Sequence, residues 1–180
     1  ALSVLYMGNR LMQFPLSIIG TSLATVVFPI FTLYAVRGEK EKFARAVPEA
    51  LRICLFLALP ASLGLVLLSR PIIFLIYQHN SFSQEAAMRT SSVLLAYSSG
   101  LCFYILLGIL SRAFYSLGDT KTPTWVAFWI MLGNIILNIL VVPFIQELGL
   151  AITTAFGALL HCGFLVFLLQ KKASLCWQGI

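Results

Sequence analysis

Arg10 is the residue whose presence most needs a reason. It lies in YMGNRLMQFPLSIIGTSLATVVFP, residues 6–29, an apolar run long enough to cross a bilayer. A guanidinium held at mid-membrane costs roughly 2.5–3.5 kcal/mol on insertion scales. It therefore either snorkels to an interface or faces a wet cavity where something anionic meets it. Gln13 follows, and then a stripe of small residues, Ser17, Gly20, Thr21, Ala24 and Thr25. Such a stripe lets membrane helices pack closely, the reading its composition favours, and beside Arg10 and Gln13 it could also line a cavity. A second set lies further on. Asn134 and Asn138 stand four residues apart, so both amides leave one helix face. Thr153, Gly157 and His161 repeat at the same spacing, with Thr154 alongside. Intramembrane amides and hydroxyls make interhelical hydrogen bonds of roughly 0.6–2 kcal/mol, and they can also ligate a small cation. Spacing alone favours hydrogen-bonded packing, and reads His161 as a packed histidine ahead of a proton relay.

Other chemistry is thinly represented. The acids Glu39, Glu41, Glu49, Glu85, Asp119 and Glu147 fall in or beside predicted loops, which argues against paired carboxylates in a buried site. Cys54, Cys102, Cys162 and Cys176 form no CxxC pair, and three of them sit in apolar runs, so they read as small packing residues. With no set of nucleophile, base or metal ligands, no enzyme is expected. Nucleic-acid binding is a poor fit, since the basic residues are not clustered beside base-stacking aromatics.

The elements that must position these residues are membrane helices. The 180 residues are 60% hydrophobic and only 10% charged, against about 25% charged in a soluble domain. The expected fold is all-α, a polytopic transmembrane bundle. Its apolar runs are too many for a signal peptide. A chain that opens Ala-Leu-Ser beside a span reads as a fragment or truncated frame.

At about 20 apolar residues per crossing, five spans are expected near 5–36, 53–77, 84–115, 123–142 and 150–169. The first is overlong and must tilt, bend at Pro15 and Pro29, or protrude. Pro60 is expected to break the second, and Pro143 to stop the fourth before a tight loop through Gln146, Glu147 and Gly149. Between spans one and two, residues 39–52 alternate Phe43, Val47 and Leu51 with Lys42, Arg45, Glu49 and Arg52 at helical spacing. This predicts an amphipathic helix in the headgroup plane, a topology anchor that could also attract anionic membrane lipids. His79 falls in the predicted loop 78–83, Ser83 is a plausible cap for the third helix, and Thr122 before Pro123 a plausible cap for the fourth.

Charge placement orients the bundle. Arg37, Lys40, Lys42, Arg45, Arg52, Arg112, Lys121, Lys171 and Lys172 share one side, against Arg10, Arg70 and Arg89 on the other. Positive-inside puts the larger group, with loops 37–52 and 112–121 and the C-terminal tail, in the cytoplasm. The start of span one is then extracytoplasmic. From Arg10 to Val36 is about 39 Å of helix, more than the roughly 30 Å hydrocarbon core. Arg10 is thus expected near the extracytoplasmic mouth.

NRLMQFPL…G…ATVVFP, then LRICLFLALPASLGLVLLSRPI, then LAYSSGL…L…SRAFYSLGDTKTP, in this order over essentially the whole chain, closely resembles the MurJ/MviN family of lipid II flippases. That family belongs to the multidrug/oligosaccharidyl-lipid/polysaccharide exporter superfamily. The resemblance implies a fourteen-helix transporter of two lobes, of which this chain would be about helices eight to twelve, part of the second lobe. The partners it implies are an undecaprenyl-diphosphate glycopeptide substrate, membrane lipids and the remaining helices, in a bacterial inner membrane. By the same resemblance the R-L-x-x-F-P arginine, Arg10, would meet the substrate diphosphate; Gln13, Ser17 and Thr21, on the polar face read above, are the candidates for lining the cavity. The sodium ligands of some members would fall on Asn134, Asn138 and Thr154, with an acid supplied from outside this chain. Where Asn138 stands some members have a carboxylate, and where Ser17 stands a glycine is common. Sodium or proton coupling is the implied energy source. Two other readings stay open: an exporter of another polyprenyl-linked glycan or of drugs, and a non-transporting scaffold or decayed fragment.

Overall fold

A computed structural model describes residues 2–77 and 84–178, and all its regular structure is helical. The predicted loop over 78–83, with His79 and the Ser83 cap, lies outside the described residues. Helix α1 (Leu2–Pro15) passes through a π-helical segment, Leu16–Thr21, into α2 (Ser22–Val36). Then follow α3 (Lys40–Tyr77), α4 (Gln84–Ser116) and α5 (Lys121–Gln178). Five stretches are long and apolar enough to cross a membrane: Ser3–Val36, Lys40–Ile76, Gln84–Ser116, Lys121–Pro143 and Glu147–Lys172.

The overlong first span changes its winding just past Pro15. A proline inside a helix donates no N–H, and its ring crowds the carbonyl four residues back. Directly after Pro15 the winding widens to a π-helical segment. Ser17 Oγ donates to Phe14 O at 2.9 Å, and Thr21 Oγ1 donates to Ser17 O, so side chains occupy carbonyls along the altered ladder.

The break expected at Pro60 is absent. Helix α3 is continuous through Pro48, Pro60 and Pro71. With no water to take up backbone polar groups, opening a turn in lipid costs more than the one hydrogen bond a proline deletes. The amphipathic stretch 39–52 is helical as its pattern predicts, but it runs on into the second span. Phe43, Val47 and Ala50 are buried, and the Phe43 ring meets Phe31 of α2 at 5.5 Å between centroids. Its apolar face therefore packs largely on protein.

Helix α4 is the hub. It packs against α1, α2, α3 and α5, and Leu94, Leu101, Ile105, Ile109, Leu110 and Phe114 are essentially excluded from the surface. A buried apolar helix needs no polar stripe. Close approach is set by Gly100, where an added Cβ would come 2.9 Å from Ala155 Cβ, and by Gly8, 3.0 Å from Val93 Cγ1. Ser62 Oγ donates to Ser98 O at 2.6 Å, tying α3 to α4.

Helix α5 is one helical run that doubles back. Asn134 Nδ2 donates to Thr153 O at 2.9 Å across a separation of 19 residues, which a straight helix would stretch to about 28 Å. The reversal lies past Pro143, where a Cβ on Gly149 would come 2.9 Å from Val141 Cγ1. The expected loop is thus a tight helical corner between two limbs. At the other end Asp119 accepts from Thr122 N (3.0 Å), Thr122 Oγ1 (2.7 Å) and Lys172 Nζ. The cap of α5 therefore falls on Asp119, not on Thr122, and Pro123 sits in the first turn, where its missing N–H costs nothing. The turn before it uses Gly118 at φ +73°, with Asp119 N donating to Phe114 O at 3.0 Å.

Candidate functional site

Spans one and three run side by side in the same direction. Gly8 lies against Val93, Gly20 against Ile105, and Phe28 against Arg112. Between them opens a cleft of about 370 Å³. One wall carries Gln13, Leu16, Ser17, Gly20, Thr21 and Ala24; the other carries Tyr104, Ile105, Gly108 and Arg112. Gly108 leaves it room, since a Cβ there would meet nothing within 4 Å. The three cavity-lining residues expected from sequence, Gln13, Ser17 and Thr21, therefore share one wall.

Arg10 does not line this cleft. Its side chain is exposed, its guanidinium stands 5.9 Å from the Tyr6 ring centroid, and Nη1 donates to Tyr6 Oη at 3.3 Å. It lies about one turn beyond Gln13. The arginine in the cleft is Arg112, half-buried, with its guanidinium carbon 6.0 Å from the Phe28 centroid. Charge counting had used Arg112 only to orient the bundle. The signal that could have found it is its position a full turn inside the end of α4, in SRAFYSLGDTKTP. Tyr104 was missed as well. Its hydroxyl is buried, with no hydrogen-bond partner among the described residues.

Asn134, Asn138 and Thr154 stand on the two limbs of α5, but the structure brings together Asn134, Asn138 and Thr153. Asn138 Nδ2 donates to Asn134 Oδ1 at 2.7 Å, and Thr153 Oγ1 donates to Asn138 Oδ1. Both amide oxygens are engaged. Thr154 Oγ1 turns to its own helix and donates to Leu150 O at 2.6 Å. Each amide oxygen accepts one of these bonds and keeps a second lone pair, and the Thr154 hydroxyl, as a donor, keeps its own. No group of three or more His, Cys, Asp or Glu suited to a metal occurs among the described residues. The buried thiols of Cys54, Cys102 and Cys162 are free. His161 is half-buried, and its Nε2 has no hydrogen-bond partner among the described residues.

Ion pairs tie the ends of the bundle. Arg89 Nη2 meets Glu147 Oε2 at 2.9 Å where α4 begins and α5 turns. Lys172 meets Asp119 at the opposite end. Burial would raise the Asp119 pKa, but donation from Lys172 and Thr122 outweighs it and holds the carboxyl down at about 2.

The chain is thus a polytopic bundle of apolar helices with a cleft, walled in part by polar side chains, between two of its spans. The family model for the lipid II flippase MurJ matches residues 1–179, and the chain belongs to that family. It is similar to a probable lipid II flippase MurJ of Vibrio cholerae, 35% identical over 165 residues, covering 92% of this chain and 31% of the relative. The lipid II flippase MurJ of Thermosipho africanus is 31% identical over 160 residues, 89% of this chain and 33% of the relative. The solved structure "Lipid II flippase MurJ, inward closed conformation" superposes with a TM-score of 0.84 at 30% identity, over 93% of this chain and 35% of that one. The chain spans about a third of the length of the curated relatives it matches.

Proposed function

We propose that the intact protein is a flippase carrying a lipid-linked peptidoglycan precursor, an undecaprenyl-diphosphate glycopeptide, across the bacterial cytoplasmic membrane. This chain would supply part of its second lobe. The observation that carries the reading is the cleft of Gln13, Ser17, Thr21 and Arg112 inside an apolar bundle of this family. Polar groups at membrane depth persist where they line a path for something polar. Translocation proceeds by rocking one lobe against the other around a central cavity, as in other repeat-built transporters. The start of span one and Arg10 face the extracytoplasmic side, where the Arg10 guanidinium receives the diphosphate with forked donors that stay charged. A cation gradient or the membrane potential resets the cycle.

The test uses the intact protein reconstituted with lipid II. Arg10→Ala is expected to lower translocation about tenfold or more, the scale of one lost charged hydrogen bond, and Arg10→Lys to retain part of it. Normal translocation by Arg10→Ala would remove Arg10 from the pathway. Competition with another polyprenyl-linked glycan, or with a soluble cationic drug, separates the other exporter readings.

A further inference from the structure

We propose that Arg112 is a second anion-contacting residue of the translocation path, taking a phosphoryl group of the lipid-linked substrate at the end of the cleft opposite Arg10. The proposal rests on the flippase reading and adds to it a residue and a position.

Four observations converge on the same cleft. Arg112 lines it, whereas Arg10 does not. The Arg112 guanidinium is half-buried and has no carboxylate within ion-pair distance among the described residues. The ring of Phe28 orients it instead, at 6.0 Å. An aromatic face holds a guanidinium in place while leaving its in-plane N–H donors free. Finally, two further donors border the same space. The Tyr104 hydroxyl is buried without a partner among the described residues, and the exposed Gln13 amide makes no hydrogen bond among them. A half-buried cation with spare donors and no internal counter-ion suits an anion that comes and goes.

Its place along the membrane differs from that of Arg10. Arg112 is level with Phe28, 18 residues beyond Arg10, or about 27 Å of helix. That is close to the roughly 30 Å thickness of the hydrocarbon core. The two arginines therefore bracket the path, with the hydroxyl-bearing wall of Ser17 and Thr21 between them. A phosphoryl headgroup released by one would meet the other only after crossing nearly the whole apolar layer.

The experiment measures equilibrium binding to the purified intact protein. The probes are undecaprenyl diphosphate and, separately, phosphatidylglycerol. Arg112→Gln is expected to weaken undecaprenyl diphosphate binding about 10- to 100-fold, the range a charged hydrogen bond supplies, with phosphatidylglycerol unaffected. Arg112→Lys should lose less, and Phe28→Leu, which keeps the charge and removes the orienting ring, should weaken binding several-fold. Arg45→Gln, on the exposed face of α3, is the control expected to leave undecaprenyl diphosphate binding unchanged. If Arg112→Gln does not fold, Arg112→Lys and Phe28→Leu carry the test. Unchanged diphosphate binding in the folded Arg112 and Phe28 variants overturns the proposal. So does an equal loss for both probes, which would make Arg112 a phospholipid headgroup anchor. A protein that binds diphosphate through Arg112 but translocates no lipid-linked glycan keeps the anion contact at Arg112 and sinks the flippase reading, and with it the place of Arg112 on a translocation path.

Discussion

At the residue scale, the polar side chains of the spans divide by whether their hydrogen bonds close on one another. Asn134, Asn138 and Thr153 form a closed set between the two limbs of α5, the arrangement of interhelical packing bonds. Gly157 is part of the same arrangement, since a Cβ there would come 3.0 Å from Asn134 Nδ2. Asn138→Leu in the intact protein should cost roughly 0.6–2 kcal/mol of stability, read as a lowered Tm in detergent, and leave any sodium dependence of transport as it was. An unchanged Tm together with lost sodium dependence would instead make these residues a cation site. Gln13, Arg112 and Tyr104 form no such closed set, which is why the cleft and not the α5 network is the candidate site.

At the element scale, the π-helical segment decides which way the start of span one faces. Removing its cause allows the turn to rewind. Pro15→Ala should let Leu16–Thr21 close as ordinary α-helix and rotate everything before it by about 100°, one residue's worth of helical turn. Gln13 would leave the wall it shares with Ser17 and Thr21. The expected outcome is reduced translocation by a folded protein, with a Gln13→Cys probe less accessible to a polar thiol reagent from the cleft. Retained accessibility and full transport would show that the wide turn is incidental. Helix α3 shows the converse, since it stays one α-helix through three prolines.

At the scale of the whole molecule, α4 holds the bundle together while ion pairs at its two ends set how the spans meet. The Asp119 carboxyl titrates at about 2, below its ordinary 3.8. A carboxyl depressed by folding adds stability that is full above its unfolded pKa and is lost as pH falls through the folded value. The contribution of Asp119 is therefore present above about pH 4 and disappears toward pH 2. Thermal unfolding of the intact protein over that window should fall more steeply than that of Asp119→Asn, and Lys172→Met should flatten the difference. Parallel curves for all three would mean that the contact adds nothing. The outer faces carry a different message. Trp125, Trp129, Ile136, Ile139 and Leu140 of the first α5 limb are exposed, as apolar side chains facing lipid or further helices are.

Five spans, their all-helical character and the polar residues on one wall of the cleft were legible in the sequence, whereas the roles of Arg112 and Tyr104 on the other wall were not. Hydrophobic length and scarce intramembrane polarity are properties of composition and spacing alone. Gln13, Ser17 and Thr21 were legible as one wall because helical periodicity puts them on one face. What they face was not. Only tertiary packing brought Arg112, Tyr104 and Gly108 of α4 across from them, since residues some ninety positions apart meet by helix registry. The continuity of α3 through its prolines, the exchange of Thr154 for Thr153 and of Thr122 for Asp119 were decided the same way. In each case several groups could have satisfied the same backbone or side-chain demand, and the geometry of neighbouring helices chose among them.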